Sequence, residues 1–189
     1  MARITKAPDE RRKEILDTAM KLFYDKGYEK TAISDIAKEI NVAQGLCYRY
    51  FPSKEVLFDS AIDYYAQTLV DKMTEFIKDE DLSLKDIIEK MPTFIDIEND
   101  NTAYYKFYHS SENSKIHARL SLNVCEKLMP IVCEILKNAA EKQEVIIADI
   151  ETTASFAVYG QLGILLDNSI PVDERIKKIK LFLLNMFNI

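Results

Sequence analysis

Apolar residues recur along this chain at intervals of three and four, the spacing of one buried helical face. Between Pro8 and Gly27 they fall at Ile15, Leu16, Ala19, Met20, Leu22 and Phe23. Pro8-Asp9 opens this helix, and Gly27 ends it as a residue tolerant of positive φ. Thr31 is a natural N-cap for a second helix that turns Ile33, Ile36, Ala37 and Ile40 inward and stops at Asn41. A third, very short helix spans about Gln44 to Tyr50, broken by Pro52, with Ser53 placed to cap the next. From Lys54 the pattern runs on to about Ile77, with Phe58, Ile62, Tyr65, Leu69, Met73 and Phe76 along one rod. Helices follow near 83–96, 101–109, 113–142, 148–168 and 172–188, and Pro130 should kink or interrupt the longest.

With 4 Gly and 5 Pro in 189 residues, the chain lacks the turn residues of a β fold. The expected class is all-α, about nine helices in two domains. Residues 1–53 are expected to form a three-helix helix-turn-helix domain, and 54–189 a second, wholly helical domain. The segment from Thr31 to Phe51 carries the first expectation, because two short helices joined by a tight turn are the reading unit of a helix-turn-helix. Ala37 is small where the helices cross, Asn41 takes the turn, and Val42 and Leu46 face inward. The short helix then presents Gln44, Tyr48, Arg49 and Tyr50 outward. A seven-residue helix that exposes two aromatics has little structural reason to do so.

A set of residues sharpens this picture. Gly27-Tyr28-Glu29-Lys30-Thr31, Ile36-Ala37, Val42-Ala43-Gln44-Gly45, then Tyr48 through Glu55 and Leu57-Phe58 together resemble the N-terminal domain of TetR-family regulators, over roughly residues 9 to 60. The resemblance implies that Thr31 and Tyr48 bond backbone phosphates. It implies that Lys54 neutralises one from the start of the fourth helix. Gln44 and Arg49 would read base edges, Gly45 would admit DNA closely, and Tyr50 would touch a phosphate or a thymine methyl. The sequence departs from the family pattern at Ala43, where Ser or Thr is usual, and at Leu46 and Cys47, where Thr and Leu are frequent.

Charge fits this division of labour. The net charge is −6, yet residues 1–54 hold 11 Lys and Arg against 8 Asp and Glu. The acidic excess therefore lies in the remainder. The basic arm, Arg3, Lys6, Arg11, Arg12 and Lys13, offers further phosphate contacts or a solvated terminus. The last two helices are apolar on more than one face: Ile176, Ile179, Phe182, Leu183 and Met186 form a stripe that Leu181, Leu184 and Phe187 widen. Two copies pairing through these helices would bury the excess, and a homodimer would supply the two half-sites of a palindromic operator in double-stranded DNA.

Aromatics and Met in the middle of the chain, Met91, Phe94, Tyr104, Tyr105, Tyr108, Met129, Phe156 and Tyr159, are candidates to line a pocket for a small apolar or amphipathic effector. Singly, each is as well explained as core. No cofactor is implied. His109 and His117 lack partners at metal-binding spacing, no nucleophile–base set is evident, and enzymatic activity is not expected. Cys47, Cys125 and Cys133 fit buried thiols in a reducing compartment. No apolar run is long enough to span a membrane and the N-terminus lacks a secretory pattern, so the expected location is cytoplasmic. Two other readings stay open: an architectural or protein-recruiting DNA-binding factor of the same fold without a ligand, and a helical ligand sensor without DNA function.

Overall fold

The computed structural model describes residues 6–77, 81–91, 114–167 and 169–189. Within them the chain is helical and contains no strand. In order, the helices are α1 (Pro8–Lys26), α2 (Ile33–Glu39), α3 (Gln44–Tyr50), α4 (Lys54–Thr74) with a 3₁₀ turn at Glu75–Ile77, α5 (Leu84–Lys90), α6 (Ser114–Glu141), α7 (Ile150–Tyr159), α8 (Leu162–Leu165) and α9 (Val172–Phe187). Two compact units emerge. One holds α1 to α3, α4 as far as Tyr65 and α6 as far as Leu120; the other holds Ala66 onward and Ser121 onward. The division thus falls inside α4, beyond the expected boundary after Ser53.

In the first unit the six apolar residues foreseen on α1, from Ile15 to Phe23, are all buried. Ile33, Ile36 and Ala37 of α2 and Leu57, Phe58, Ala61 and Ile62 of α4 are buried too, and the Phe23 ring meets that of Phe58 edge-on at 5.4 Å. The ends follow from backbone rules. Gly27 closes α1 at φ +84°, and Asn41 turns the chain at φ +54°. The N–H of Val42 then donates to Ala37 O at 2.9 Å, which sets α3 against α2. Ser53 caps α4, its Oγ accepting from the Val56 N–H at 3.1 Å.

The second unit is organised on a cluster that includes Leu84, Leu136, Ala154, Ala157, Ile179 and Leu183. Ser83 and Asp86 form a reciprocal cap at the start of α5. Three expectations are corrected here. The helix expected over 83–96 stops at Lys90. Pro130 does not interrupt α6, which continues unbroken to Glu141; Pro130 sits on the exposed face, where water can take the carbonyl its missing N–H leaves free. The helix expected over 148–168 is two pieces, α7 and α8, joined at Gly160-Gln161. A Cβ on Gly160 would lie 2.4 Å from the Phe156 carbonyl oxygen, so this junction needs glycine. No helix among the described residues is long and apolar enough to cross a membrane.

Candidate nucleic-acid interface

α3 is too short to stand alone and is held at both ends. Ala43 precedes it without a side-chain cap, as its methyl dictates, and the Leu46 N–H donates to Ala43 O at 2.8 Å. At the other end the Phe51 N–H donates to Cys47 O at 2.9 Å. Cys47, fully buried, is the residue that anchors α3 inward, while Val42 and Leu46 are only half-buried. Burial raises the Cys47 thiol above its ordinary pKa, with Arg11 pulling the other way, so at neutral pH it behaves as a small hydrophobe.

The opposite face is open. Gln44, Gly45, Tyr48 and Arg49 are all exposed, and a Cβ at Gly45 would meet nothing within 4 Å. Tyr50 departs from the expected outward set: it is half-buried, its ring 6.5 Å from that of Phe51. Gln44 carries the donor and acceptor that match an adenine edge, Arg49 the paired donors that match a guanine edge, and Tyr48 offers a hydroxyl.

Thr31 requires a correction. It is 1 % exposed, and its hydroxyl lies 2.9 Å from Gly27 O and 3.1 Å from Leu22 O, to which it donates. The helix starts two residues later, with Ala32 at the N-cap and Asp35 Oδ2 accepting the Ala32 N–H at 2.9 Å. A hydroxyl so enclosed ties down the end of α1 and cannot reach a phosphate. Thr31→Val should therefore leave buried carbonyls unsatisfied and cost about 1–3 kcal/mol in urea unfolding, with the salt dependence of DNA binding unchanged; Thr31→Ser should recover most of the loss.

Lys54 begins α4 as expected. Its Nζ donates to Glu29 O at 3.4 Å and sits 4.2 Å over the Tyr28 ring. One of three ammonium protons is engaged, leaving two for a phosphate. The Tyr28 ring packs on Phe58 at 4.8 Å between centroids, and the guanidinium of Arg119 lies 5.5 Å from the Phe58 ring while pairing with Asp59 at 2.6 Å. Lys54, Tyr28, Phe58 and Arg119 thus form a continuous row of contacts, cation to ring, ring to tilted ring, and ring to cation. Arg119 gave no sequence signal, because its partner lies sixty residues away. In the basic arm, Lys6 and Arg11 both pair with Glu14, Arg12 lies exposed with its guanidinium 5.4 Å over Phe51, and Arg3 falls outside the described residues.

This arrangement, a buried α2 locking an exposed α3 beside a lysine-headed α4, coincides with the stretch that the model of bacterial regulatory proteins of the tetR family matches, residues 15–61. This N-terminal segment is similar to the DNA-binding domain of TetR-family regulators. The uncharacterized HTH-type transcriptional regulator YuxN of Bacillus subtilis is 50% identical over 56 residues, 30% of this chain and 19% of that protein. The nucleoid occlusion factor SlmA of Haemophilus influenzae is 29% identical over 93 residues, 49% of this chain and 43% of its own. The chain therefore spans under half the length of these curated relatives. Over nearly the whole fold it is similar to the transcriptional regulator FadR of Bacillus subtilis in complex with stearoyl-CoA, with TM-score 0.64, 18% identity, and 90% and 96% of the two chains covered. Its TetR-family relatives are regulators rather than enzymes.

The second unit holds a cavity of about 110 Å³. Met91 lines it, beside Met73 from the end of α4 and Phe76 from the 3₁₀ turn that follows. The other expected pocket residues fare differently. Met129 packs against the core cluster but does not line the cavity. Tyr159 is half-buried and also outside it, and Phe156 is 71 % exposed, pointing away from the interior. Phe94, Tyr104, Tyr105 and Tyr108 lie outside the described residues. Thr74 and Gln161, which sequence reasoning passed over, line the cavity instead. Cys125 lies in the second unit's interior, its thiol pushed up to about 11 by burial.

Proposed function

We propose that this chain is a homodimeric, cytoplasmic transcriptional repressor that reads a palindromic operator with α3 and releases it when a small apolar effector fills the body. The observation that carries this reading is the exposed row Gln44, Tyr48 and Arg49 on a helix whose other face is sealed by Cys47. Exposed Phe156 on α7 and Leu181 and Phe182 on α9, at 60 % or more, support pairing of two copies, since large apolar side chains gain by leaving water on association. The stearoyl-CoA bound by FadR supports a ligand-responsive body. One helix serves both ends: Lys54 begins α4, and Met73 and Thr74 near its end line the cavity. A shift of α4 worth about 1–3 kcal/mol would change operator occupancy strongly. Arg119, braced on Phe58 and Asp59, holds the DNA-proximal half of α4 during that shift.

The test is duplex binding by fluorescence anisotropy across a salt series. Full-length protein should bind its own promoter region as a dimer, and Lys54→Ala should weaken binding to every sequence alike and reduce the slope of log K against log salt by about 0.9. A Lys54→Ala variant altered only in sequence preference would overturn the assigned role. The likeness to SlmA, a nucleoid occlusion factor, favours one second reading, a DNA-binding factor of the same fold that acts without a ligand; binding spread over many chromosomal sites with no ligand response would select it.

A further inference from the structure

The described cations of the N-terminal basic arm are not equivalent, and their surroundings sort them. This step rests on the proposal that α3 reads duplex DNA. Lys6 and Arg11 are committed inside the protein. Lys6 Nζ lies 2.8 Å from Glu14 Oε1, Arg11 pairs with the other oxygen of that carboxylate, and the two side chains are only 29 % and 11 % exposed. Lys13 is exposed, but its charge acts on the Asp17 carboxylate one turn along α1. Arg12 differs from the others. It is exposed, and its guanidinium lies over the Phe51 ring, 5.4 Å from the centroid.

Phe51 ties that charge to the reading helix. The ring is 2 % exposed and stands at the C-cap of α3, where the Phe51 N–H donates to Cys47 O at 2.9 Å. A guanidinium laid on a ring uses its flat face and keeps its N–H edge for an anion, where paired donors match two oxygens of one phosphate. Lys54, shortly past Phe51 in the chain, is seated by the same device on the Tyr28 ring at 4.2 Å. A helix in the major groove meets base edges along its length and the phosphate backbone beyond its end. Arg12 stands at that end without belonging to α3. We propose that Arg12 is a second phosphate anchor of this interface, held by Phe51 at the C-terminal end of α3, and that Lys6 and Arg11 are not.

The experiment measures anisotropy of the full chain with a labelled duplex of its own promoter region and a random duplex of equal length, between about 0.05 and 0.2 M salt. In Arg12→Gln the slope of log K against log salt should fall by about 0.9 on both duplexes, so the deficit against the unaltered chain grows about 3.5-fold as salt drops across that range. Arg12→Lys should keep the slope yet bind less tightly, since the charge stays and the paired contact goes. Arg11→Gln should lower the melting temperature and keep the slope. Weakening by Arg12→Gln that is equal at every salt, together with a lowered melting temperature, would make Arg12 a prop for α3 and overturn the inference. Weakening confined to the promoter duplex overturns it too, by making Arg12 a base reader, as does an Arg11→Gln slope that falls as far. Lys54→Ala keeps the two proposals apart. If the unaltered chain binds and Lys54→Ala lowers the slope while Arg12→Gln does not, this inference fails alone; if the unaltered chain binds neither duplex at the lowest salt, both fail.

Discussion

Replacing Phe51 by alanine is expected to cost the DNA-binding unit about 3–5 kcal/mol and to abolish measurable duplex binding at 25 °C. Phe51 is 2 % exposed and among the largest fully buried side chains of the molecule. It also stands at the C-cap of α3, where its N–H closes the last turn onto Cys47 O at 2.9 Å. Truncation would open a void beneath the reading helix and strip the ring on which Arg12 rests at 5.4 Å. Because domains have only about 5–15 kcal/mol of stability, a loss of this size takes a large share of it. Urea unfolding followed by helical signal, with the slope compared between variant and parent, measures the loss. A cost below about 1 kcal/mol would mean that α3 is anchored through Cys47 alone and that Phe51 does not set its angle.

The sequence made the first unit largely legible because local rules and tertiary packing agree there. The buried face of α1 follows its 3.6-residue period residue by residue, and Gly27 and Asn41 occur where the backbone takes positive φ. Thr31 was misread because the run Thr31-Ala32-Ile33-Ser34-Asp35 offers two ways to start a helix. The Asp35 carboxylate caps the Ala32 N–H, which frees Thr31 to turn inward onto Gly27 and Leu22. In the second unit, residue type no longer implied position. Phe156 and Met129 share an apolar character that suits core, pocket or interface equally, and only tertiary packing separates the exposed ring of Phe156 from the inward Ile176, Ile179 and Leu183. Gln161 carried no signal of its own in the sequence, and only the break at Gly160 brings it to the cavity wall.

The double variant Gln44→Ala/Arg49→Ala is expected to lose about 2–6 kcal/mol of discrimination between operator and unrelated duplex while keeping most of its affinity for the latter. Each side chain contributes about 1–3 kcal/mol if it makes a paired contact with one base edge, and contacts at separate base steps add. Affinity for unrelated DNA comes instead from cations on phosphates, and Lys54 remains in place in the variant. Both residues are exposed, so neither truncation opens a cavity, and thermal unfolding should move little. Competition binding of operator against random duplex at fixed salt reads the ratio directly. The outcome is informative because it pulls apart two properties that Phe51→Ala destroys together: a unit with α3 intact but its reading groups removed should still bind DNA and should no longer choose among sequences. Retained discrimination would place base reading outside α3, with the basic arm that includes Arg12 the next segment to vary, and would remove the basis for assigning base reading to this helix.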